Sequence, residues 1–198
     1  MGDEFAKDIL KLTNILLDER PDHRVIAIVS AAYIETHLVN LISEYFPAMT
    51  PTLKKAFFDE TNGMVRAYGN RLDMAKALNA ITPGAYHDAK LIGRIRNKFA
   101  HNLDVDSFEH EKVRDLVDAL DKDGKLEQSY AVGATTDEII EWGRTEKFIK
   151  IALGVCMQIL HLHIKEYPFS FSNGPHAIGT GAKPPLLDTL NKPPHRGK

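Results

Sequence analysis

At 198 residues, with 43% hydrophobic and 26% charged side chains, the chain falls among ordinary globular proteins and outside the disordered and fibrous classes. Its 25 basic and 27 acidic residues leave a formal net charge of −2, which excludes a global field drawing the molecule onto duplex nucleic acid. Cys156 is the single cysteine, so neither an intramolecular disulfide nor a cysteine-based zinc cluster can form, and a reducing compartment, the cytoplasm, is expected.

In "EFAKDILKLTNILL", Phe5, Ile9, Leu12, Leu16 and Leu17 recur at helical spacing behind Asp3 and Glu4, which predicts a first helix ending near Pro21. "DHRVIAIVSAAYIETHLVNLISEYFP" carries apolar residues over more than half of the helical wheel, so it reads as a long, deeply buried helix stopped by Pro47. A short helix around Leu53 to Phe58 follows, and two glycines then mark an irregular connection through Tyr68, Gly69 and Asn70. "RLDMAKALNAI" makes a further short helix through Leu72, Ala75, Leu78 and Ile81.

"TPGAYHDAKLIGRIRNKFAHN" opens with Thr82 as an N-cap and Pro83 at the first helical position, so the dense polar string "IRNKFAHN" lies at that helix's C-terminal end. Val113, Leu116, Val117 and Leu120 then share one side of another helix. After the turn-rich "KDGKLEQSYAVGATT", a last long helix is expected from Thr135, whose spacing to Glu138 suits a capping box, to Tyr167 before Pro168.

No segment sustains the period of two that strands require, so an all-α bundle with two long core helices is expected. It would form one domain over 1–167, followed by a Pro/Gly-rich irregular tail over 168–198. The start "MGDEFAKD" lacks an apolar signal core, and "FIKIALGVCMQILHLHI" is too interrupted by polar residues to span a bilayer, so no membrane segment is expected.

Two charges point where a dry face should be. With about 100° per residue, Arg96 falls inside the arc of Leu91, Ile92, Ile95 and Phe99, whereas Arg94, Asn97 and His101 occupy the opposite side. Glu35 likewise falls among Ile28, Ala32, Val39 and Ile42. Buried ions need partners, and a guanidinium matches a carboxylate in two-point contact, so Glu35 and Arg96 are expected to form a buried structural pair. Lys90, Arg94 and Lys98 would then supply a basic surface.

"RVIAIVSAAYIETHLVNLI" together with "LIGRIRNKFAHNLDVDSF" resembles the mannitol operon repressor (MltR-like) family and, through "RNKFAH", the wider HEPN class of helical domains. The resemblance covers about residues 20 to 120. It implies an all-α bundle that commonly forms a homodimer and a role in transcriptional control through protein partners. For many HEPN proteins it also implies metal-independent RNA cleavage by an Arg-x4–6-His motif, which here would place Arg96, Asn97 and His101 in the catalytic set.

The residue types suit such cleavage: a histidine can take the 2′-OH proton and an arginine can meet the developing phosphorane charge. On an unbroken helix, however, Arg96 and His101 diverge by about 140°. They converge only if the helix ends early or two protomers combine their motifs.

An arginine tied to Glu35 is also not free to hold phosphate. The expected function is therefore a non-enzymatic regulator, with a ribonuclease acting on RNA as the alternative. Asp106 and His110 share an i, i+4 spacing without further ligands, so neither a metal nor any other cofactor is expected. No helix-turn-helix with a basic second helix is present, which argues against direct DNA binding.

Overall fold

The computed structural model describes residues 10–16, 22–59, 61–122 and 143–163, with side chains as far as Ile159. All regular structure among them is helical. It comprises α1 (residues 10–16), α2 (His23–Glu44), α3 (Pro51–Phe58), α4 (Tyr68–Ala77), α5 (Pro83–His101), α6 (Glu111–Asp118) and α7 (Arg144–His163). These residues belong to one compact unit, Met1–Lys165. The expected helix start at Thr135, its end at Tyr167 and the tail over 168–198 lie outside the described residues.

α2 is the helix on which the others assemble: it packs against α4, α5 and α7, while α5 and α7 also pack on each other. Ile26, Ala27, Ala31, Ile34, Leu38, Leu41 and Ile42 line its buried side. By length and composition α2, rather than α7, is long and apolar enough to cross a membrane among the described residues. In the fold it serves as the core helix of a bundle, and its apolar breadth follows from having neighbours on several sides.

Three phenylalanines join the ends of α5, α6 and α7. Phe108 stacks on Phe148 at 4.5 Å between centroids and meets Phe99 edge-on at 5.2 Å. His23, at the start of α2, stacks on Phe108 at 5.0 Å, and its Nδ1 accepts the Phe108 amide at 3.2 Å.

Local chemistry explains the helix ends. The Asp22 carboxylate accepts the Arg24 amide at 2.8 Å and so caps α2. Thr50 caps α3, with Pro51 in its first turn. α4 begins at Tyr68 rather than Arg71, so Gly69 and Asn70 are helical and not part of the connection expected from the glycines.

α4 closes with Asn79 in the left-handed region at φ 57°, where the Ala80 amide donates to Ala75 at 2.8 Å and the Asn79 amide to Lys76 at 3.0 Å. Asparagine occupies that conformation more easily than other residues bearing a Cβ. Thr82 accepts the Ala85 amide at 3.2 Å, as expected, and donates to Gln158 Oε1 at 3.0 Å, tying the start of α5 to α7.

Candidate functional site

The string "IRNKFAHN" ends α5. Ile95 and Phe99 are fully buried, whereas Arg94, Asn97, Lys98 and His101 form an exposed stripe at i, i+3, i+4 and i+7. The helix continues unbroken through His101, and Asn102 closes it by donating from both its amide and its side chain to the Lys98 carbonyl, at 3.1 and 2.8 Å. An early helix end, one of two ways to bring His101 round to Arg96, is therefore absent.

Glu35 does not pair with Arg96. Its Oε1 accepts from Arg71 Nη1 at 2.9 Å, and Arg71 is the buried cation, only 6% exposed. The rest of the Arg71 fork is used as well: Nε donates to the Val65 carbonyl at 3.1 Å and Nη2 to that of Phe58 at 2.9 Å. One planar guanidinium thus joins α4, α2, the end of α3 and the chain following it, a task for which its fixed fan of donors is suited.

Arg96 is half-buried, with its guanidinium 5.9 Å from the centroid of the Tyr68 ring. Burial pushes the Tyr68 hydroxyl well above its ordinary range; the fields of Cys156 and Glu35 act in the same direction and that of Arg96 opposes them. The hydroxyl keeps its proton and donates it to the Ala89 carbonyl at 2.8 Å.

The ring lies against α5 because residue 93 is glycine. A Cβ there would stand 2.6 Å from Tyr68 Cε1.

Lys90 leaves the expected basic surface, since its ammonium pairs with Asp73 at 2.8 Å and that hydrogen bond raises its pKa. Arg94 and Lys98 remain of it, and among the described residues neither they nor Arg96 has an acidic partner. His101 is exposed, with no hydrogen bond or ion pair to the described residues.

The carbonyls at the end of α5 are taken up by Arg24. Its Nη1 donates to the Phe99 carbonyl, and its Nη2 reaches the carbonyls of Val105 at 2.8 Å, Asn102 at 3.3 Å and Leu103 at 3.4 Å. A cation at a helix C-terminus also meets the negative end of the dipole. Sequence reasoning missed Arg24, Arg71 and Tyr68. Gly93 was the available signal, because a glycine inside a helix is an expensive choice unless something lies against it.

The described residues contain no group of three His, Cys, Asp or Glu side chains placed to hold a metal ion. His110 caps α6 through Nδ1, which accepts the Lys112 amide at 3.2 Å. Cys156 is fully buried and burial raises its thiol pKa, which disfavours the nucleophilic thiolate.

No family model matches the chain, and no curated protein matches it. Its fold is similar to that of a chain in the X-ray structure of the MtlR–HPr complex from Escherichia coli, with a TM-score of 0.54 and 18% sequence identity over 80% of this chain and 98% of that one. What the two share is therefore a helical architecture spanning nearly the whole of the other chain.

Proposed function

We propose that this chain is a non-enzymatic regulator of the mannitol operon repressor kind, acting in transcriptional control through contacts with another protein rather than through a helix-turn-helix. The observation that carries this reading is the likeness in fold to a chain solved in complex with a second protein, HPr. The residues of α5 agree with it. The positions that catalysis would use are split between a half-buried Arg96 and an outward His101, while the rest of the stripe is exposed side chains suited to contact. A homodimer in the cytoplasm is the expected form of the regulator.

Two measurements test the proposal. Titrating the purified full-length protein with HPr from the same host should give saturable heat of binding. Deleting the gene should change expression from a reporter fused to the operon that it controls. An unchanged reporter together with no heat would remove the regulatory reading.

The ribonuclease alternative gains one observation, because Arg96 is released from Glu35 and its guanidinium is not held by any acid among the described residues. It loses another, since on the unbroken α5 the arginine and histidine diverge by about 140° and a second protomer would have to complete the site. Labelled RNA incubated in chelator with wild type and with His101→Ala should stay intact in both. Cleavage by the wild type alone would reverse the ranking.

A further inference from the structure

The residues that follow α5 form a feature that the regulatory reading does not by itself locate. Leu103 is 93% exposed, more than any other large hydrophobic side chain among the described residues. It is not on a loose loop end. The carbonyls on both sides of it, of Asn102 and Val105, and its own are held by one guanidinium, that of Arg24, which also holds Phe99.

Asn102 folds back on Lys98, and Val105 and Phe108 are fully buried close behind. The backbone thus fixes an apolar knob whose removal from water is favourable. The cost of ordering it has already been met within the fold.

The surroundings of the knob are cationic. Arg94, Lys98 and His101 share the exposed stripe that leads along α5 toward Leu103. Of the acids nearest it in sequence, Asp104 pairs with Lys112 at 2.5 Å, while Asp106 is exposed and offsets one of these cations. In a chain of net charge −2, this is a local excess of positive charge around one exposed leucine.

Resting on the regulatory reading, we propose that the Arg94–Leu103 surface is where the partner docks, and that the partner presents an acidic rim around an apolar socket for Leu103. Charge complementarity sets the sign of the rim, and a central apolar anchor ringed by polar residues is the arrangement that carries binding energy at protein interfaces. Nucleic acid fits less well, because its backbone offers no socket for a leucine and the stripe carries no exposed aromatic on which bases could stack. A second copy of the chain would have to bring its own unpaired acidic patch to this face.

The test uses the full-length, isotope-labelled protein and an acidic synthetic peptide, rich in Glu with a central pair of leucines. The backbone amides of 94–105 should shift on titration, and a peptide of the same length with Lys for Glu should leave them unmoved. Leu103→Ser and the double variant Arg94→Glu/Lys98→Glu should each weaken binding by about tenfold with unchanged thermal melts, since all three side chains are exposed.

Shifts elsewhere, or none, would overturn the proposal, as would displacement of the peptide by an oligouridylate that binds Leu103→Ser as tightly as wild type. Concentration-dependent shifts of the same amides without peptide would assign the face to a second copy and equally overturn it. The reporter separates this proposal from the broader one. If gene deletion alters expression and Leu103→Ser does not, only the surface is wrong; if deletion has no effect, the regulatory reading itself fails.

Discussion

Glu35 on α2 accepts from Arg71 on α4 at 2.9 Å, and the same guanidinium is shared with the carbonyls of Phe58 and Val65. The arginine is buried while the Glu35 side chain keeps 29% of its exposure, so the acid is the partner that water can partly replace. Arg71→Met should therefore be the more damaging change. It strands a carboxylate and two carbonyls, costing about 3 kcal/mol, while Glu35→Gln, which keeps an acceptor, should cost about half as much.

Arg96→Met removes only a contact with the Tyr68 face and should stay within about 1 kcal/mol of wild type. Denaturant unfolding of the three variants gives this order directly, and an Arg96→Met loss equal to that of Arg71→Met would contradict it.

Gly93→Ala sets two effects of opposite sign against each other. Alanine should gain about 1 kcal/mol of helix propensity over glycine. Its methyl, however, would stand 2.6 Å from Tyr68 Cε1 and 2.9 Å from Cδ1, and the ring it must displace is partly buried and anchored to Ala89. Overpacking at such a site costs about 1–3 kcal/mol, so a net loss is expected. Pairing it with Tyr68→Ala should turn the alanine from harmful to mildly favourable, a non-additivity that a double-mutant cycle resolves.

Asp88 is 1% exposed, and burial raises its carboxyl pKa above the ordinary 3.8, although the Asp121 amide and His87 Nδ1 act to lower it. A group that holds its proton more tightly when folded makes the native state bind more protons than the unfolded one. Its contribution to stability therefore falls as pH rises from the ordinary carboxylate value through the raised one.

Asp88→Asn keeps an oxygen to accept the Asp121 amide, now at 3.0 Å, without burying a charge. The variant should match or exceed wild type at pH 7, and its advantage should vanish as pH falls below about 4. Urea midpoints taken across that range measure the difference. An advantage that grows toward acid would reverse the assigned sign.

The legible parts of this fold were those set by neighbours in sequence. Thr82 with Pro83 marked the start of α5, the apolar breadth of the second helix marked it as central, and the wheel put Asn97, His101 and Arg94 outside. The pairing of charges was not legible, because it depends on which helices meet.

Arg71 sits in the polar-looking opening "GNRLD" of a short helix, and only the packing of α4 on α2 carries it to Glu35. The wheel placed Arg96 inward correctly to the extent that it is half-buried, but it could not show that an aromatic face, not an acid, awaits it. Arg24 was invisible for the same reason, since its carbonyl partners lie 75 or more residues away in the sequence.

That long-range clamp by Arg24 yields the sharpest link between fold and surface. Replacing it by methionine keeps the stem but leaves the carbonyls of Phe99, Asn102, Leu103 and Val105 to find water. They lie at the edge of the bundle where some solvation is available, so the loss should be modest, about 1–3 kcal/mol. Lysine restores the charge at the helix end but not the fork, and one ammonium cannot span four acceptors, so it should recover less than half of that loss.

Hydrogen exchange is the more telling readout. The amides of Val105 and Phe108, which close onto Asn102 and His23 at 3.3 and 3.2 Å, should exchange faster in Arg24→Met, while those in the middle of α5 should not. If the amides around Leu103 keep wild-type protection, another contact holds that segment, and the rigid presentation of Leu103 cannot be credited to Arg24.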